Sequence, residues 1–165
     1  MMKSKLTARM LSLIILGVSL GASFPLSACS YDGQFINPFS ESVPGSLDVA
    51  FATSSALNSQ QLKRVETLNG QQGLRRASWW LQLMVKQHSD SLEAVQYIYL
   101  TDSHLWSRIE QGEKIEVHTS PADDAESVLL LSEAALFALV SDQLDMKTAL
   151  NLGIAKSSRF TLNEN

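Results

Sequence analysis

HLWSRIEQGEKIEVHT, residues 104–119, decides how this chain folds. Two runs, His104–Glu110 and Lys114–Thr119, flank Gln111-Gly112-Glu113. If those three residues form a hairpin loop, Glu110 faces Lys114 and Arg108 faces Glu116. Leu105 and Ile109 then share a face with Ile115 and Val117. Opposite charges directly across a strand pair attract. A slip of one residue would split the apolar face and turn part of it to water. Two independent patterns therefore select the same register.

Upstream, Ala94–Leu100 reads as a third strand joined through Thr101–His104, giving an antiparallel meander over 94–119. Ile98 and Leu100 extend the apolar face. The opposite face carries Tyr97, Tyr99, Trp106, Arg108, Glu116 and His118. That mixed face is either covered by a helix or free as a binding surface. Tyr97, Tyr99 and Trp106 are its candidate interface residues, because Tyr and Trp are enriched where proteins meet.

Further upstream, Leu47–Thr53 (LDVAFAT) alternates in part and suggests a first strand. Residues 56–88 have helical spacing: Leu62, Val65 and Leu68, then Leu74, Ala77, Leu81 and Met84. Asn69-Gly70 and Gly73 interrupt the pattern, so two helices or one broken helix are expected. Trp79 and Trp80 cannot both point inward on a helix. One belongs in the core, the other against the sheet or the N-terminal segment.

Downstream of the hairpin, Pro121-Ala122-Asp123-Asp124 reads as a turn and Ser127–Leu131 as a short, nearly continuous apolar strand. Ser132 is placed to cap a helix over Glu133–Ser141, with Glu133 in its first turn favoured by the helix dipole. Asp142–Asp145 reads as a turn and second cap, Met146–Leu152 as a short helix ended by Gly153, and 154–162 as a last strand. The expected fold is α+β: one domain, 47–165, with helices packed on an antiparallel sheet.

The stretch Ser127–Gly153, SVLLLSEAALFALVSDQLDMKTALNLG, resembles the carboxy-terminal half of sterol-carrier-protein-like domains of the type-two, lipid-binding kind. There too a strand runs into a small-residue helix, a turn, a short helix closed by glycine and a final strand. The resemblance covers about a third of the chain, or half with the meander. Asp142-Gln143-Leu144 and Ile154–Arg159 depart from the family's pattern. The resemblance implies a non-enzymatic module for an apolar ligand, a lipid or acyl chain. Leu136, Phe137, Val140, Leu144, Met146 and Leu150 would line its pocket. The same six residues would equally make an ordinary core.

The N-terminus points to a compartment. Lys3, Lys5 and Arg9 precede the apolar run Met10–Leu20, and small residues lead to Leu26-Ser27-Ala28-Cys29. A basic start, a short apolar centre and a small-residue exit make a secretory signal, too short to span a bilayer of roughly 30 Å comfortably. Leu-Ser-Ala-Cys resembles the lipobox of bacterial lipoproteins, in which the cysteine becomes the lipidated first residue. That resemblance implies a signal peptide over 1–28, a lipidated tether or strap over 29–46, and attachment through Cys29. With serine and not aspartate at position 30, it favours the outer membrane, facing the periplasm. Residues 30–46 hold Gly, Pro, Ser and Asn with isolated Tyr31, Phe35 and Phe39, either a loose tether or an ordered strap.

Composition excludes several functions. Cleavage removes three cations from 13 and none of the 17 acidic residues, leaving a body of formal charge −7. Such a body lacks the basic footprint that nucleic acid requires. No phosphate loop, nucleophile elbow or paired metal motif is present. His88, His104 and His118 are scattered in sequence, and the single cysteine has no disulfide partner. No cofactor, metal or catalytic residue is expected. The alternative to a ligand-binding module is an accessory protein of an envelope assembly, with no ligand of its own.

Overall fold

The computed structural model describes residues 29–32, 43–111, 113–123 and 126–159. The predicted signal peptide, Phe35 and Phe39, Gly112 of the hairpin loop and residues 160–162 of the last strand lie outside these. Among the described residues, four α-helices and five strands follow in the order α1 (Ser46–Asn58), α2 (Gly70–Gln87), β1 (Tyr97–Leu100), β2 (Leu105–Glu110), β3 (Lys114–Val117), β4 (Ser127–Leu131), α3 (Glu133–Val140), α4 (Met146–Asn151), β5 (Ala155–Arg159).

The chain is α+β, but its sheet is mixed, not purely antiparallel. The strand order is β3-β2-β1-β4-β5. β2–β3 has the expected register, Glu110 opposite Lys114 and Arg108 opposite Glu116. Arg108 reaches the Glu116 carboxylate at 2.7 Å. β4, however, pairs with β1 in parallel, Tyr97 opposite Val128 and Leu100 opposite Leu131. The reason lies in the apolar run of β4. Both of its faces are buried, and a strand covered on both sides belongs in the sheet's centre between layers of helix.

Those layers divide the core in two. Ile98, Leu100, Leu105, Leu129 and Leu131 face α2, α3 and α4 in the main cluster. Tyr97, Tyr99, Trp106, Val128 and Leu130 face the other way and pack with Val49 of α1. The helix α1 occupies the stretch expected as a first strand. Its alternation was local; the buried positions Val49, Thr53 and Ala56 recur at helical spacing and the helix runs on to Asn58. An ion pair from Asp48 to Lys156 of β5, 2.7 Å, ties α1 across the sheet.

The interrupted stretch 56–88 resolves into the end of α1, a loop and α2. Leu62, Val65 and Leu68 lie in the loop, with Leu62 buried. Trp80 points inward against Phe137, ring centroids 5.2 Å apart. Trp79 is 59% exposed.

Caps act as the sequence suggests. Ser132 Oγ accepts from Ala135 N–H at 3.1 Å and also from the Thr53 hydroxyl at 3.0 Å, joining α1 to the start of α3. Asp145 caps α4 through Thr148 N–H. Gly153 follows α4 with φ 72°, a left-handed conformation that glycine adopts without steric cost.

Candidate functional site

Parallel pairing of β1 with β4 brings two carboxy-terminal strand ends side by side, Thr101-Asp102 and Ser132-Glu133. Crevices beyond the carboxyl ends of parallel strands are where open α/β sheets hold ligands. A cleft of about 640 Å³ opens there. Its walls are Leu57 of α1, the loop Arg64–Asn69, Asp102 and Ser103 after β1, Glu133 and Ala134 at the start of α3, and Ser30-Tyr31.

One end of the cleft is polar. Both Asp102 carboxylate oxygens accept from the Glu133 backbone N–H, at 3.0 and 2.9 Å, answering a donor that the first turn of a helix leaves free. Glu133 itself is held by Arg76 Nη2 at 3.1 Å and by the Tyr31 hydroxyl. Arg76 also lies over the Trp80 ring, 4.7 Å from its centroid. Tyr31 closes against Gly73, where a Cβ would come within 2.4 Å of its ring, so only glycine fits.

Asp102 is exposed at the cleft mouth, its carboxylate lying against the start of α3 through the Glu133 N–H. Loss of water around that group, then the charge of Glu133, hold it well above the usual carboxylate range. A carboxyl group raised on folding favours the folded state below its unfolded value and opposes it as pH climbs through the raised one. Asp102→Asn, which keeps an acceptor for Glu133 N–H, is therefore expected to raise the thermal midpoint at pH 8. The gain should shrink as pH falls into the ordinary aspartate range. A gain independent of pH between 4 and 8, by scanning calorimetry, would refute this.

A second cluster forms around Cys29, the first of the described residues. Residues Ser30–Asp32 form one 3-10 turn on the body. Ser30 N–H bonds Ser103 C=O at 3.0 Å. The side chain of Cys29 is 1% exposed. Its sulfur lies 3.5 Å from Asp32 Oδ2 and 3.5 Å from His118 Nε2, while His118 Nε2 and Asp32 Oδ2 are 3.2 Å apart. His118 adopts φ 68°, in the left-handed region that few residues with a side chain occupy and that histidine tolerates better than most. Desolvation opposes ionisation of Asp32, but bonds from Cys29 and the charge of His118 outweigh it and hold the carboxyl below its usual range. Burial raises the Cys29 thiol. The three ligating atoms lie within 4.8 Å of one another, a donor set a metal ion could use. A thiolate ligand and a lipidated thioether are mutually exclusive uses of that sulfur. No sequence spacing could reveal this cluster, because Cys29 and His118 stand 89 positions apart.

A scan against protein-family models finds no match, and neither do searches of curated proteins and of solved structures. The site rests on its own geometry.

The residues expected at a site fall elsewhere. Leu136 and Met146 are buried in the main core, Phe137, Val140 and Leu144 pack partly buried against it, and Leu150 is 41% exposed. None of the six lines the cleft. All but Leu150 belong to the core around α3 and α4. Tyr97, Tyr99 and Trp106 are buried in the second cluster, with Val49 of α1. Sequence reading missed Asp102 and Arg76 altogether, and took Glu133 as a helix-dipole residue only. The sole hint was a carboxylate following each of two apolar strands.

Proposed function

We propose that this chain is an envelope lipoprotein, attached through Cys29 and facing the periplasm from the outer membrane, whose body is a non-enzymatic binding module. Its ligand is a lipid or acyl chain with a polar end. The cleft at the carboxy ends of β1 and β4 carries this reading. Its volume of about 640 Å³ falls among ligand pockets of roughly 300–1,000 Å³. Leu57, Val65, Leu68 and Ala134 offer an apolar wall, and Asp102, Glu133 and Arg64 offer a polar end. The succession β4-α3-α4-β5 supports a likeness to sterol-carrier-like domains, with the ligand moved to the sheet's end because the residues of α3 and α4 fill the core. Among the described residues no helix is long and apolar enough to cross a membrane. Attachment in this reading falls to Cys29.

Native mass spectrometry of the body, carrying Cys29→Ser to keep it in solution, should show a co-purifying apolar compound. A fluorescent fatty acid should displace it. Ala134→Trp, which fills the cleft, should abolish both signals, whereas Leu150→Ala should leave them intact. A bare mass with no fatty-acid binding overturns the ligand. In cells, wild-type protein should incorporate radioactive palmitate and Cys29→Ser should not; equal labelling overturns the attachment.

One observation favours the accessory role as a second reading. Trp79 and Phe51 are 59% and 60% exposed, and large exposed aromatics are common where partners dock. Cross-linking in membranes that recovers one reproducible partner, lost in Trp79→Ala, would support it.

A further inference from the structure

We infer that the body does not hang from its lipid on a leash: Cys29 is locked onto the sheet end that holds the cleft, so the cleft faces the bilayer that holds the acyl chains. This rests on lipid attachment at Cys29. Five contacts fix the first residues. Cys29 N–H bonds Asp32 Oδ2 at 3.3 Å, its sulfur touches Asp32 and His118, Ser30 N–H bonds Ser103, and the Tyr31 hydroxyl bonds Glu133. Acylation of the α-amine leaves an amide N–H, so the bond to Asp32 survives it. Alkylation replaces the S–H and so removes the bond that the sulfur donates to Asp32, leaving the backbone bonds and the Tyr31 hydroxyl to hold the turn. Cys29 is 1% exposed, and the side chains over its sulfur, Asp32 and His118, are 43% and 37% exposed, so the glyceryl arm would leave by turning these two surface side chains aside.

Cys29 is one residue from the cleft wall, since Ser30 and Tyr31 are part of it. The hairpin loop at Glu113 lies at the other end of β2, whose six residues span roughly 20 Å. Lys63 and Arg64, both exposed, stand on the cleft loop, where a body of net negative charge can still meet anionic head groups. A lipid ligand would thus enter directly from the membrane surface.

The test uses the full chain, lipidated in bacteria and reconstituted into phosphatidylethanolamine–phosphatidylglycerol vesicles carrying a shallow nitroxide lipid. The alkylated Cys29 does not react, so Thr67→Cys and Glu113→Cys each take one fluorophore. The Thr67 probe should lose most of its emission and the Glu113 probe should keep it. Asp32→Ala/His118→Ala should float with vesicles as wild type does, yet lose the difference between the probes. Equal quenching at both positions, or a difference that survives the double variant, overturns the inference. Failure of the wild-type chain to float with vesicles is a separate result: it overturns the attachment, and this inference with it.

Discussion

Leu136→Ala is expected to lower the thermal midpoint of the body by roughly 10 °C. Leu136 is wholly buried among the side chains of the main cluster. Removing its branched end loses transfer free energy and leaves a cavity, together about 2–5 kcal/mol for Leu→Ala in a packed core. Leu150→Ala, on the neighbouring helix and 41% exposed, should cost less than about 0.5 kcal/mol. The pair separates two roles for this segment. If α3 and α4 lined a ligand chamber, Leu136→Ala would enlarge the chamber and change ligand binding more than stability. If they form core, stability drops and fatty-acid affinity at the cleft stays. Paired unfolding and binding measurements decide it; an unchanged midpoint in Leu136→Ala would sink the core assignment.

Glu133→Ala comes next. Its carboxylate accepts from both Arg76 and Tyr31, and the side chains of Arg76 and Glu133 are only 16% and 14% exposed. Deleting one partner of a buried pair costs about 3–5 kcal/mol, because the other charge stays behind uncompensated. Here some water reaches the pair, so about 2–3 kcal/mol is expected. Arg76 is poorly placed to find a substitute, since its Nε already has no hydrogen-bond partner. Tyr31 would lose its anchor too, loosening the first turn against α2. Two further variants isolate the cause. Glu133→Gln keeps an acceptor for Tyr31 and should recover part of the loss. Arg76→Met with Glu133→Ala removes the stranded cation and should recover more than Glu133→Ala alone. Chemical denaturation of wild type and these three variants reads this out, and a double variant no more stable than Glu133→Ala would exclude the stranded cation as the source.

The hairpin was legible because two kinds of pattern, charge opposition and apolar alternation, constrain one another within sixteen residues. Ser132 and Gly153 were legible because caps depend on chemistry a few positions away. α1 was misread from LDVAFAT because a seven-residue window cannot tell alternation from helical spacing. Phe51, which completed the apparent alternation, turns out exposed on the helix surface. The parallel partner of β4 left a trace in its unbroken apolar run, since burial on both faces asks for helices on both sides. That trace named no partner strand. The cleft was not legible at all. Its walls come from residues 30–31, 57, 64–69, 102–103 and 133–134, which meet only once β1 and β4 lie alongside. The cluster of Cys29, Asp32 and His118 was invisible for the same reason.

Short outer strands carry one more consequence. β3 closes one border of the sheet with four residues, and Lys114 and Glu116 along it are exposed. An open border of free amides and carbonyls invites a strand from a neighbouring molecule, and brevity with charge is how natural sheets discourage that recruitment. Replacing both charged residues with valine would leave the fold's interior untouched while making a sticky rim. Such a protein would be prone to fibrous self-association wherever many copies crowd together.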